Sequence, residues 1–116
     1  MSHLSILPTV LRDADTLITA LTSLGLKAHN GGWVSGFAGE QQAVDVRADL
    51  AAGQALGWQR QSDGRLALVA DLQRLSRSQS LQHLLARITR TYAAHAALRQ
   101  AAANPALASA EVVLTA

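Results

Sequence analysis

The sequence predicts an α+β fold, with a mainly antiparallel sheet of four to six strands covered on one face by two helices. Three observations lead there. Apolar residues recur at helical spacing in two stretches, one near each end of the 116-residue chain. Between them the pattern turns to alternation broken by glycines. Within that middle region "QALGWQRQSDGRLALVADL" reads as a hairpin, its turn supplied by Ser62-Asp63-Gly64.

The elements follow in order. "SILPTVLRD" is a short apolar run and reads as a first strand. Pro8 donates no ladder hydrogen bond, so the strand belongs at an edge or begins near Pro8. Asp13 suits a helix N-cap, and Ala14, Leu17, Ile18, Leu21 and Leu24 follow at helical spacing until Gly25 stops the helix. From Lys27 glycine clusters appear, with turn candidates at Asn30-Gly31 and Gly39-Glu40. The spacing of those glycines matches neither a dinucleotide fingerprint nor a phosphate loop, which leaves turns or bulges. Val44, Val46 and Ala48 are expected on one face of a strand, and Asp45, Arg47 and Asp49 on its wet face.

In the hairpin's second arm Leu66, Leu68 and Ala70 share one face, and Ala67 and Val69 the other. A strand apolar on both faces belongs inside the sheet. "QRLSRSQS" reads as a polar connector and Ser80 as the next N-cap. Leu81, Leu84, Leu85, Ile88, Tyr92, His95 and Leu98 make the stripe of the second helix, which Asn104-Pro105 ends. From Leu81 to Ala103 it would be about 34 Å long, crossing the domain or overhanging it with the Ala-rich "AALRQAAANP". "SAEVVLTA" reads as a last strand. Residues 1–116 thus form one domain, similar to a ferredoxin-like layout with an added hairpin, an analogy that carries no function.

Composition narrows the chemistry. A chain of this size buries roughly 65% of its unfolded surface, and the 49% apolar content is enough for one core. No cysteine is present, which excludes disulfides, thiolate catalysis and sulfur-ligated metals. Aromatics are only 3% and the net charge is +2, weak support for a nucleic-acid protein. No apolar run approaches the roughly 20 residues of a membrane span, and the N-terminus lacks a leader pattern. Cytoplasm is the expected location.

Four histidines are the obvious candidates for chemistry. His83 and His95 lie about 18 Å apart along one helix and share no metal ion. The Met1-Ser2-His3 opening has the form of a copper or nickel chelate and is incidental, because Met1 is removed before a small second residue. His95 has Tyr92 three residues before it and Arg99 four after. Those three form a polar seam beside the apolar stripe, so His95 is expected to tie the helix down by a hydrogen bond. Arg74, Arg77, Arg87 and Arg90 cluster in sequence, and Arg87 and Arg90 share one helix face; a solvated face is preferred to a phosphate-facing patch. Trp33, Phe37 and Trp58 are expected as core anchors, an exposed Trp marking a contact surface instead.

The segments "MSHLS", "LRDADTLITALTSLGL", "GFAGEQQAVDV", "LVADL" and "TYAAHAAL", in that order, resemble a family of small plastid and cyanobacterial proteins with bacterial relatives. The family is named after hypothetical chloroplast reading frame thirty-five. The resemblance covers Met1 to about Leu98 and implies a soluble, disulfide-free protein of unknown biochemical function. The family's pattern falls here on Ser2 and His3, on Gly36, Phe37 and Gly39, and on Tyr92, Ala93 and His95. Ala94 stands where members often carry an aromatic, and "QRLSRS" where they often have aromatics.

The leading expectation is a non-enzymatic accessory or assembly protein that binds a protein partner or itself. The second is a small nucleic-acid-binding module using Arg74, Arg77, Arg87 and Arg90. The third is a small-ligand or enzymatic domain around His3, His29 and His95. His3, Trp33, Phe37, Arg87, Arg90, Tyr92 and His95 are the candidate contact residues; no catalytic residue, cofactor, metal or membrane partner is expected.

Overall fold

A computed structural model describes residues 4–36 and 39–103. Strand β1 (Leu4–Leu7) leads to helix α1 (Ala14–Ser23), then to β2 (Lys27–Asn30), β3 (Trp33–Ser35), β4 (Gln41–Ala43) and β5 (Val46–Asp49). A 3-10 turn (Ala51–Gly53) joins β5 to β6 (Ala55–Arg60), followed by β7 (Leu66–Asp71), a short helix α2 (Leu72–Arg77) and the long α3 (Gln79–Ala103). Five strands form one antiparallel sheet in the order β1-β7-β6-β5-β2, and β3 pairs with β4 in a two-stranded ribbon. The two strands joined by α1 therefore stand at opposite edges. This is a split β–α–β unit, with three strands inserted between its arms. β1 is an edge strand and ends just before Pro8.

Helix α1 begins where Asp13 accepts the Thr16 N–H at 3.1 Å, which satisfies one orphan donor of the first turn. It ends at Gly25, whose φ of 81° allows Gly25 N–H to reach Thr22 O and Leu26 N–H to reach Leu21 O. The face of the sheet made by Val46, Ala48, Leu56, Trp58, Leu66, Leu68 and Ala70 buries Leu17 and Leu21 of α1 and Ile88 of α3. Both long helices thus cover one face, and Trp58 is the largest fully buried side chain.

The other face is covered differently. The β2–β5 and β3–β4 pairs follow one another as a ribbon that bends between them. Gly31 and Gly32, with φ of 79° and 121°, supply the bend in a region L side chains rarely adopt. The outer half folds over the sheet, and Val34 and Val44 pack on Val69 with Leu4 beside them. The close approach depends on Gly57: a Cβ there would lie 2.4 Å from Val44 Cγ1 and 2.5 Å from Val34 Cγ2. Val44 was expected beside Val46 and Ala48. It belongs instead to the opposite cluster, because the bend interrupts the alternation just before β5. At the break, Asp45 N–H still donates to Trp58 O, and the Asp45 carboxylate accepts the Arg60 N–H at 2.7 Å.

Three further expectations change. The polar connector holds a helix, α2, capped by Asp71, which accepts from the Gln73 and Arg74 N–H groups. Ser78 rather than Ser80 caps α3, its hydroxyl accepting from Leu81 N–H at 3.1 Å. Trp33 is not a core anchor, being 57% exposed on the folded-over ribbon. Helix α3 is about 37 Å long, against about 20 Å for a six-residue strand such as β6, and only its Ile88 is buried. His3, Phe37, Asn104-Pro105 and the expected final strand lie outside the described residues.

Candidate functional site

The bend of the ribbon creates a cleft at the end of the sheet where β5, β6 and β7 meet their connections. Its volume is about 160 Å3, and Trp33, Ser35, Arg47, Gln54, Leu56 and Arg74 are among the residues that line it. On the helix side it adjoins a wider hollow bordered by Leu26, Ser80 and Leu84; the two share Leu50, Gln54, Arg74 and Leu81. Apolar side chains with a few convergent polar groups are the usual lining of a ligand site.

Arg47 is held in place. Its Nε donates to Asp49 Oδ1 and one terminal nitrogen donates to the Trp33 carbonyl, both at 3.0 Å. The other oxygen of Asp49 is 2.9 Å from His29 Nε2. The His29 hydrogen bond, aided by Arg47, holds the Asp49 carboxyl below the ordinary 3.8 against some opposing desolvation. A chain of polar contacts therefore runs from edge strand β2 through β5 to the backbone of β3. Arg74, exposed on α2, makes no ion pair with a described residue. The carboxylate in the wall, Asp71, is engaged at the start of α2.

A second polar constellation joins the helices. Tyr92 accepts the N–H groups of Arg12 and Asp13 on its hydroxyl, at 3.1 and 2.9 Å. Arg99 reaches Asp13 Oδ2 at 3.2 Å and Thr19 Oγ1 at 3.4 Å. The Thr16 hydroxyl and N–H, with Arg99 and Arg60, hold the Asp13 carboxyl below 3.8, again against desolvation. The expected seam is there, but Tyr92 and Arg99 make its bonds. His95, between them in sequence, is half-buried and hydrogen-bonds to no described residue.

The other candidates scatter. His29, paired with Arg47, lies on the ribbon side of the sheet and His95 on the helix side, so these two described histidines do not converge. Among the described residues no cluster of three His, Cys, Asp or Glu is placed to hold a metal. Arg87 and Arg90 are exposed on α3 without an ion pair among the described residues, and Arg77 shares a surface hollow with Arg74. Ile6, Val10 and Leu72 are 49%, 72% and 47% exposed. Ile6 lies on β1, and Val10 and Leu72 flank its two ends, Leu72 following the Asp71 that pairs with Leu4. The far edge, β2, instead exposes Lys27, His29 and Asn30, the polar blunting usual at sheet edges.

Residues 20–112 match the model of a family described as protein of unknown function, DUF1257. The chain belongs to the DUF1257 family. No curated protein and no solved structure matches it. No helix among the described residues of this DUF1257 member is long and apolar enough to cross a membrane. The cleft was not visible in the sequence: Arg47 reads there as one of three alternating polar residues, and nothing in its spacing relates it to Trp33 or Arg74.

Proposed function

We propose that this DUF1257 protein is a non-enzymatic accessory or assembly protein that works in the cytoplasm through protein contacts. We assign it to the branch named after chloroplast reading frame thirty-five, on the segments quoted above. The carrying observation is the exposure of Ile6, Val10 and Leu72 along one sheet edge. Large apolar side chains left exposed along one edge are consistent with an interaction surface. The contact is made by side chains rather than by strand addition. Glu40 takes the Leu4 N–H at 3.3 Å and Pro8 lacks an N–H, so little of the β1 backbone is open to pairing.

Light scattering coupled to size exclusion, across a concentration series and in native extract, tests this reading. A defined oligomer or complex is expected, and Ile6→Lys with Val10→Lys should dissolve it. Wild-type protein that stays monomeric at every concentration, and elutes from extract as the doubly substituted chain does, would refute it.

A second reading, nucleic-acid binding, is favoured by Arg74, Arg77, Arg87 and Arg90, which are exposed and outside any ion pair among the described residues. It requires RNA or DNA binding that weakens as salt rises and again on changing Arg87 and Arg90 to Ala.

A further inference from the structure

We infer that the cleft under the folded-over ribbon binds a small amphiphilic oxyanion, a carboxylate or phosphate carried on a flat apolar body. This reading is independent of the protein contacts at the β1 edge. Three features converge on that ligand chemistry.

The first is charge. Two guanidinium groups, Arg47 and Arg74, line the cleft with the carboxylate of Asp71; Arg47 is ion-paired with Asp49, which leaves Arg74 as the cleft cation outside any ion pair among the described residues. Arg47 is oriented by Asp49 and the Trp33 carbonyl. An oriented guanidinium loses little freedom on binding, and the fork of the unpaired Arg74 matches a carboxylate or phosphate. The Arg47 nitrogen that neither contact uses remains as a donor.

The second is the indole. Trp33 is 57% exposed yet lines the cleft beside these cations. A large aromatic left open beside positive charge offers a stacking wall for a planar ligand. The third is the floor: Leu50, Leu56 and Leu81 give it apolar surface. A bare inorganic anion would leave that surface and the indole unused. With about 160 Å3 available, below the usual range for drug-sized ligands, the occupant is a single ring or short chain bearing one anionic group.

Phenyl phosphate and benzoate are the probes, with inorganic phosphate and benzyl alcohol supplying the anion and the apolar body separately. Binding is read by Trp fluorescence and by amide chemical shifts. Trp58 is buried in the helix-side core, so a saturable fluorescence change reports Trp33. The expected result is saturable binding of at least one aromatic anion, tighter than either half alone. The affinity should fall about tenfold to a hundredfold in Arg74→Gln, the usual loss for one charge-assisted hydrogen-bonded contact. Arg65→Gln, in the β6–β7 turn at the other end of the sheet, should leave it unchanged. Trp33→Leu, followed by chemical shifts, should weaken the aromatic probes and not inorganic phosphate. A preference for phenyl phosphate over benzoate, or the reverse, assigns the phosphate or carboxylate source. No saturable response at millimolar concentration, or equal losses in Arg74→Gln and Arg65→Gln, overturns the inference.

Discussion

Gly57→Ala tests how the ribbon is seated on the sheet. The added methyl would stand 2.4 and 2.5 Å from methyl carbons of Val44 and Val34, where carbon atoms in contact prefer about 3.5–4.0 Å. Rotation of the new methyl does not move its carbon, so the valines and the ribbon that carries them must give by about 1 Å. Overpacking of that kind costs about 1–3 kcal/mol. Alanine restricts the unfolded chain and returns roughly 0.4–1 kcal/mol. The net loss is about 1–2 kcal/mol, a drop of roughly 1 M in urea midpoint for a slope near 1.5 kcal/mol/M. Equilibrium urea unfolding followed by far-ultraviolet circular dichroism measures it. The combined Val34→Ala and Val44→Ala change should cost less in the Gly57→Ala background than in the wild type, with a coupling of about 1 kcal/mol. A Gly57→Ala protein as stable as wild type, with no coupling to the valines, would refute the seating.

Three further outcomes follow from the contacts between the helices. Tyr92→Phe removes the acceptor of two backbone N–H groups and should cost about 1 kcal/mol, whereas His95→Leu should stay within about 0.5 kcal/mol; urea midpoints in the opposite order would restore His95 as the tie. Asp13→Ala should lose about 1 kcal/mol as the cap of α1 disappears. The Asp13 carboxyl titrates below 3.8 in the folded protein, so its stabilising contribution is complete above its unfolded value and is lost as pH falls through the folded one. As pH falls from about 5 through the acid range, stability should therefore decline less steeply in Asp13→Asn than in wild type, and parallel profiles would contradict the assignment.

What the sequence made legible were features set by neighbours a few residues away. Asp13 and Gly25 bracket α1 because caps are local chemistry, and Pro8 placed β1 at an edge because it lacks a donor. The apolar run of β7 pointed to an interior strand, and β7 lies between β1 and β6. Illegible were features set by distant chain. Val44 changes face because Gly31 and Gly32 turn the ribbon over, and Gly57, on another strand, leaves room for it. Trp33 is exposed for the same reason. The polar seam was visible as a spacing of Tyr92, His95 and Arg99, but the donors at Arg12 and Asp13 selected Tyr92 and not His95. The cleft needs β3, β5 and α2 together, so no stretch of sequence contains it.

The separation of β1 from β7, its sheet neighbour among the described residues, also orders events during synthesis. Leu4 pairs with Asp71, so β1 leaves the ribosome long before β7 exists. Meanwhile β5, β6 and β7 can zip together through short turns, whereas docking β1 closes the longest loop of the sheet. β1 is therefore the last strand in, and until β7 emerges the nascent chain carries Leu4, Ile6 and Leu7 without a sheet to cover them. That interval is when a chaperone would find its handle on this chain.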